Sequence, residues 1–154
     1  MNKLRFILPL FAFLLLQGCT NNNLVDLNMA VPDNNWTYAK SIKATLEIKD
    51  TNKSYEAYFK LRLTTAYRYS NLYVITHLKG NGLNKHTRYQ FKVANLNGEW
   101  RGKGSGDIYT YTFPLLTDYR FEKAGKYEIE IEQNMRDNPL TGISDVGISV
   151  NPKE

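Results

Sequence analysis

Apolar and polar residues alternate with period two along most of this chain. Ile42, Ala44, Leu46 and Ile48 take turns with Lys43, Thr45 and Glu47. Tyr55, Ala57, Phe59, Leu61 and Leu63 take turns with Glu56, Tyr58, Lys60 and Arg62. Successive side chains of a strand point to opposite faces, so each stretch predicts a strand with one buried face. Asp50-Thr51-Asn52-Lys53 is a turn between them, and the pair reads as a hairpin. A connection at Tyr67–Tyr69 leads to a third strand over Asn71–Leu78, which the break Lys79-Gly80-Asn81-Gly82 ends. Thr87, Tyr89, Phe91 and Val93 mark a fourth strand, followed by a turn at Asn95–Glu99. A strand from Ile108 to Phe113 meets Pro114, which ends it or confines it to a sheet edge. Tyr127, Ile129, Ile131 and Gln133 follow Gly125 in another alternating run. Asn134–Gly142, with Pro139, reads as a loop, and Val146, Ile148 and Val150 form the last strand.

About seven or eight short strands separated by turns predict an all-β, antiparallel β-sandwich. Jelly-roll and immunoglobulin-like topologies fit this count equally, and a closed barrel is the alternative. Composition agrees: 11 Tyr, 7 Phe and 2 Trp suit a pleated, half-buried surface. No long segment carries helical periodicity.

The first residues follow another pattern. Lys3 and Arg5 precede an uncharged apolar run from Phe6 to Leu16. That run is shorter than the roughly 20 residues a membrane-spanning helix needs, and it fits the apolar core of a secretory signal. Leu16-Gln17-Gly18-Cys19 then resembles the bacterial lipobox. The thiol is needed because diacylglycerol is attached through a thioether. Gln17 departs from the small residue usual at its position; Leu16, Gly18 and Cys19 keep the motif. Cys19 is the only cysteine, which excludes an intramolecular disulfide. The predicted organisation is a signal peptide over 1–18, a lipidated flexible tether over 19–35, polar and Asn-rich with Pro32, and a sandwich domain over 36–154.

Charge adds little. Loss of Lys3 and Arg5 takes the formal net charge from +5 to +3, and no basic block suggests nucleic-acid binding. Catalytic signatures are missing too. Gly102, Gly104 and Gly106 lack the G-x-G-x-x-G spacing and the following helix of a phosphate loop; they predict a bulge or close backbone approach. His77 reads as a core-edge residue and His86 as a solvated strand end, with no metal-ligand spacing. Glu128, Glu130 and Glu132 repeat as the polar side of a strand. No metal, cofactor or enzymatic activity is expected. Tyr58, Tyr67, Tyr69, Tyr73, Trp100, Tyr109 and Tyr111 could stack on sugars, so a glycan-binding lipoprotein is the alternative function.

Several stretches resemble one family, the gliding-motility lipoproteins called GldH of the Bacteroidetes. They are Tyr58-Phe59-Lys60-Leu61-Arg62, Tyr67-Arg68-Tyr69-Ser70-Asn71-Leu72, Asn97 to Tyr109 with its Trp-x-Gly-x-Gly-x-Gly-Asp-Ile-Tyr core, Gly125 to Arg136 with Glu-Gln-x-Met-Arg, and Leu140 to Ile148. The resemblance implies an outer-membrane lipoprotein of the gliding and type IX secretion machinery. Its expected partners are the membrane, through the lipid, and other gliding or secretion lipoproteins and envelope proteins. The resemblance supplies no catalytic residue. In such bacteria an acidic run after the lipidated cysteine directs export to the cell surface; its absence here points to the periplasmic face. The candidate interaction surface combines two irregular segments: Trp100, Arg101, Gly102, Gly104, Gly106, Asp107 and Tyr109 from one, and Met135, Arg136 and Asp145 from the other. Loops held by a rigid sandwich are where binding residues usually sit.

Overall fold

The computed structural model describes residues 23–153, so Cys19 and the signal segment lie outside the described residues. The alternating stretches all become strands, and further strands join them: β1 (Val25–Ala30), β2 (Asn35–Trp36), β3 (Ile42–Ile48), β4 (Tyr55–Thr64), β5 (Asn71–Gly80), β6 (Leu83–Lys92), β7 (Lys103–Ser105), β8 (Ile108–Tyr119), β9 (Gly125–Gln133), β10 (Leu140–Thr141) and β11 (Ile143–Pro152). One sheet has the order β1-β11-β4-β8-β7, the other β3-β9-β5-β6, and β2 pairs with β10. All pairs are antiparallel.

The eight longer strands settle the topology. Chain connections cross between the sheets from β1 to β3, β3 to β4, β4 to β5, β6 to β8, β8 to β9 and β9 to β11. Among these eight, only β5 and β6 form a hairpin within one sheet. The resulting orders, β1-β11-β4-β8 and β3-β9-β5-β6, are those of a jelly roll. The chain is thus a β-sandwich of jelly-roll type.

Inward residues of both sheets meet in one core. Phe59 is fully buried. It stacks against Trp36 at 6.2 Å and Phe91 at 5.8 Å between ring centroids. Trp36 satisfies its indole N–H on the Lys40 carbonyl at 2.6 Å, as a buried donor must. Strands of 10 residues make the sandwich roughly 30 Å long. The pairings define its ends. Val25, Tyr55, Tyr119 and Pro152 gather at one end with Ile48, Gly80 and Gly125, where the described chain begins. Thr64, Ile108 and Ile143 gather at the other with Ile42, Asn71 and Lys92.

Three sequence expectations are corrected, and one pair of alternatives is decided. The tether expected over 19–35 is in part a strand: β1 pairs with β11 from Val25↔Val150 to Ala30↔Asp145. Val25, Leu27 and Met29 alternate in this segment too, but an edge position leaves Leu27 39 % exposed, so burial selects weakly for apolar residues there. β3 and β4 are not a hairpin. β3 pairs with β9, and β4 lies between β11 and β8 in the opposite sheet. Alternation reports a buried face and is silent about which sheet supplies it. Of the two alternatives at Pro114, the sheet edge holds: β8 runs on to Tyr119, β7 covers only Ile108–Thr110, and Pro114 sits on the free edge beside a register shift, where its missing N–H costs no ladder bond. The loop over 134–142 contains β10, and its Asn138–Pro139 bond is cis.

Candidate functional site

Where β7 stops, the edges of the two sheets stand apart. A groove of about 680 Å³ lies between β6 and β8, lined by Gln90, Phe91, Lys92, Arg101–Lys103 and Thr110–Phe113. Its wall is a ladder of rings: Tyr89 over Phe91 at 5.6 Å, Phe91 over Phe113 at 4.3 Å and 11°, and Phe113 beside Tyr111 at 5.5 Å. Lys92, Arg101 and Lys103 are exposed at the rim, and no carboxylate lines the groove.

Two hydroxyls hold this wall. Tyr111 donates to the Val93 carbonyl at 2.7 Å and Tyr89 to the Leu115 carbonyl at 2.5 Å. Burial pushes both phenols above their ordinary pKa, so they remain donors at neutral pH. Gly102 is required sterically: a Cβ there would stand 2.6 Å from the Tyr111 ring and 2.9 Å from the Thr110 carbonyl oxygen. Close backbone approach, predicted for these glycines, is what brings Arg101 to the rim.

The ten residues singled out in the sequence occupy different settings. Arg101 and Gly102 line the groove. Tyr109 packs against Trp100 at 5.3 Å and against the Gly104 backbone, supporting the groove's border. Gly106 and Asp107 form the β7–β8 turn, with Gly106 at a φ of 60°. Met135 belongs to the other sheet's side, its sulfur 3.3 Å from the Tyr73 amide and its carbonyl accepting from Tyr38 Oη. Arg136 is exposed beside it. Asp145 is 3.6 Å from Arg62, its β4 register partner. The two segments do share an end of the sandwich: consecutive amides of Thr64 and Thr65 donate to the carbonyls of Gly142 and Asp107. The aromatic wall of Phe91 and Phe113 was missed, because inward-facing rings read as core.

The aromatic residues considered for sugar stacking are dispersed. Tyr67 and Tyr111 are buried, Tyr69 bonds Asp137, Tyr73 lies under Arg88, and Tyr58 bonds Glu56. They make no coplanar row. Among the described residues no three His, Cys, Asp or Glu side chains are placed to hold a metal ion, and no helix is long and apolar enough to cross a membrane.

The profile of the GldH lipoprotein family matches residues 23–150, from before β1 into β11. The chain belongs to this family. It is 29 % identical to a gliding motility lipoprotein GldH homolog of Christiangramia forsetii, over 92 % of this chain and 91 % of the relative. To the gliding motility lipoprotein GldH of Flavobacterium johnsoniae it is 28 % identical, over 94 % of each. Among solved structures it is similar to a carbohydrate-binding module specific for non-crystalline cellulose, with TM-score 0.45, 9 % identity, and coverage of 84 % of this chain and 73 % of that one. An insecticidal delta-endotoxin of Bacillus thuringiensis gives TM-score 0.40 at 14 % identity, over 84 % of this chain and 20 % of the toxin. As a GldH-family member, this chain is a lipoprotein of a gliding-motility family.

Proposed function

We propose that this GldH-family protein is a non-catalytic component of the gliding and type IX secretion machinery. On this reading Cys19 anchors it by lipid to the periplasmic face of the outer membrane, and the groove between β6 and β8 holds a partner protein. The observation that carries the reading is the groove itself: an aromatic wall, a basic rim and two sheet edges. Unpaired strand edges accept an extended segment by adding a strand. Lys85, Arg88 and Lys92 on β6 with Lys103 on β7 repel a second copy of the same edge and favour an acidic partner. Aromatic and arginine side chains in a partly desolvated site are the residues that dominate binding energy.

The test is affinity capture of the lipidated protein from detergent-solubilised envelopes. Arg101→Glu with Lys103→Glu should weaken capture of co-purifying envelope proteins roughly tenfold or more, since one charge-assisted contact is worth about 1.5–3 kcal/mol. Undiminished capture by the folded double variant would remove the groove from the proposal. Metabolic labelling with a fatty-acid probe addresses the anchor separately. Cys19→Ser should incorporate no label, and retained label would refute lipidation at that residue.

A further inference from the structure

The outer face of the β3-β9-β5-β6 sheet holds a pair of histidines that the groove does not use. The β5–β6 hairpin turns on Asn81 and Gly82, with φ of 50° and 87°. Two successive positive values are the signature of the tight turn that Asn-Gly favours. This turn fixes the register, and His77 falls opposite His86. Their rings meet edge to face, 4.7 Å apart at 81°, with the two Nδ1 atoms 2.5 Å from each other. At that separation one nitrogen holds a proton and the other presents a lone pair.

The neighbouring strand decides which is which. Glu132 Oε1 lies 3.0 Å from His77 Nε2. It accepts that N–H, which leaves the His77 Nδ1 lone pair aimed at His86. A carboxylate behind an imidazole is the arrangement that orients histidine ligands of metals. Glu128 and Glu130 stand beside Glu132 on the same face. Burial works to raise the pKa of Glu130, but hydrogen bonds from Ser41 and Lys43 outweigh it and keep its carboxyl below the ordinary value. Of the cations on this face, Lys43 pairs with Glu130 at 3.1 Å, Arg88 bonds Asn134 and lies over the Tyr73 ring, and Lys79 stands two residues from His77, opposite Glu128.

We propose that His77 and His86 form a two-imidazole site for a divalent transition metal of the zinc and copper class, with Glu132 as the positioning residue. The ion replaces the proton shared between the two Nδ1 atoms. Metal–nitrogen bonds of about 2.0–2.1 Å in tetrahedral geometry require the nitrogens to open to about 3.3 Å. The exposed His86 side chain has the room to rotate that far. Two imidazoles leave the remaining coordination positions to water or to a group from outside. Imidazole ligands select zinc, copper(II) or nickel over calcium and magnesium, which take oxygen ligands.

The experiment is calorimetric titration of the full lipidated chain in detergent, purified without a polyhistidine tag, with zinc chloride and then with copper(II). One ion should bind per chain, with magnesium and calcium giving no competition. His86→Asn sits on the exposed face and leaves the fold intact by circular dichroism; it and His77→Ala should each weaken binding more than tenfold. Glu132→Gln should weaken it about tenfold, in line with other carboxylates behind metal-bound histidines. Absence of one-to-one binding at about 100 µM zinc, or binding unchanged in a folded His86→Asn variant, would overturn the site. Equal affinity in Glu132→Gln would remove Glu132 from it.

Discussion

The Tyr89 hydroxyl reaches from β6 across the open side of the sandwich and donates to the Leu115 carbonyl on β8 at 2.5 Å. The bond links two sheets that share no backbone ladder there. It also places the Tyr89 ring at the start of the stack that walls the groove. Tyr89→Phe keeps the ring and removes the link, leaving the nearly buried Leu115 without that donor. The variant should lose about 1 kcal/mol, read as a lower urea midpoint with an unchanged slope.

Phe59 tests the core. It lies between Trp36 and Phe91 with no exposed surface. Phe59→Ala should cost about 3–5 kcal/mol, a large share of the roughly 5–15 kcal/mol available to a domain. An unchanged melting temperature would contradict the inward face assigned to β4.

Two glycines with positive φ should respond differently. Gly142 has a φ of 90°, and a Cβ there would lie 2.4 Å from the Tyr67 amide nitrogen. Gly106 has a φ of 60°, and a Cβ there would meet nothing within 4 Å. Gly142→Ala adds a backbone collision to conformational strain and should destabilise severely. Gly106→Ala carries the strain alone, on the order of 1 kcal/mol. Thermal melts of the two variants compare them directly.

Alkaline pH should destabilise the fold through Tyr67. Burial, then Tyr69 and Asp137, push its phenol above the ordinary value of 10.0. The unfolded chain therefore loses this proton at lower pH than the folded one. The contribution to stability is complete below 10.0 and is lost as pH rises towards the folded value. Stability measured between about pH 9 and about pH 11 should fall, and fall less steeply in Tyr67→Phe. Tyr111 and Tyr89, also raised by burial, keep part of the slope.

Strands with a fully buried face were legible residue by residue, because Ile42 to Ile48 and Tyr55 to Leu63 bury every second side chain. Topology was not, since crossing from β3 to β4 and turning back on the same sheet leave the same alternation. β1 escaped notice as a half-exposed edge strand. The groove escaped because Phe91 and Phe113 resemble any core residue until the sheet edges are seen to separate. The histidine pair had a signal that went unused. The dipeptide Asn81-Gly82, taken as a two-residue hairpin turn, sets Gly80 against Leu83 and therefore His77 against His86.

The edge position of β1 has a mechanical side. The described chain enters the sandwich at Val25 and runs the length of β1 against β11 before turning at the far end. A pull on the N-terminal segment, resisted at the far end, acts along the strand axis. The β1–β11 hydrogen bonds lie across that axis, so such a load stretches them together, in shear. Peeling them one after another would require a load directed across the strand, as when the pull is resisted at the Val25 end. The weakest-looking strand of the sheet is thereby the element through which tension on the N-terminus enters the fold, in the orientation that resists it best.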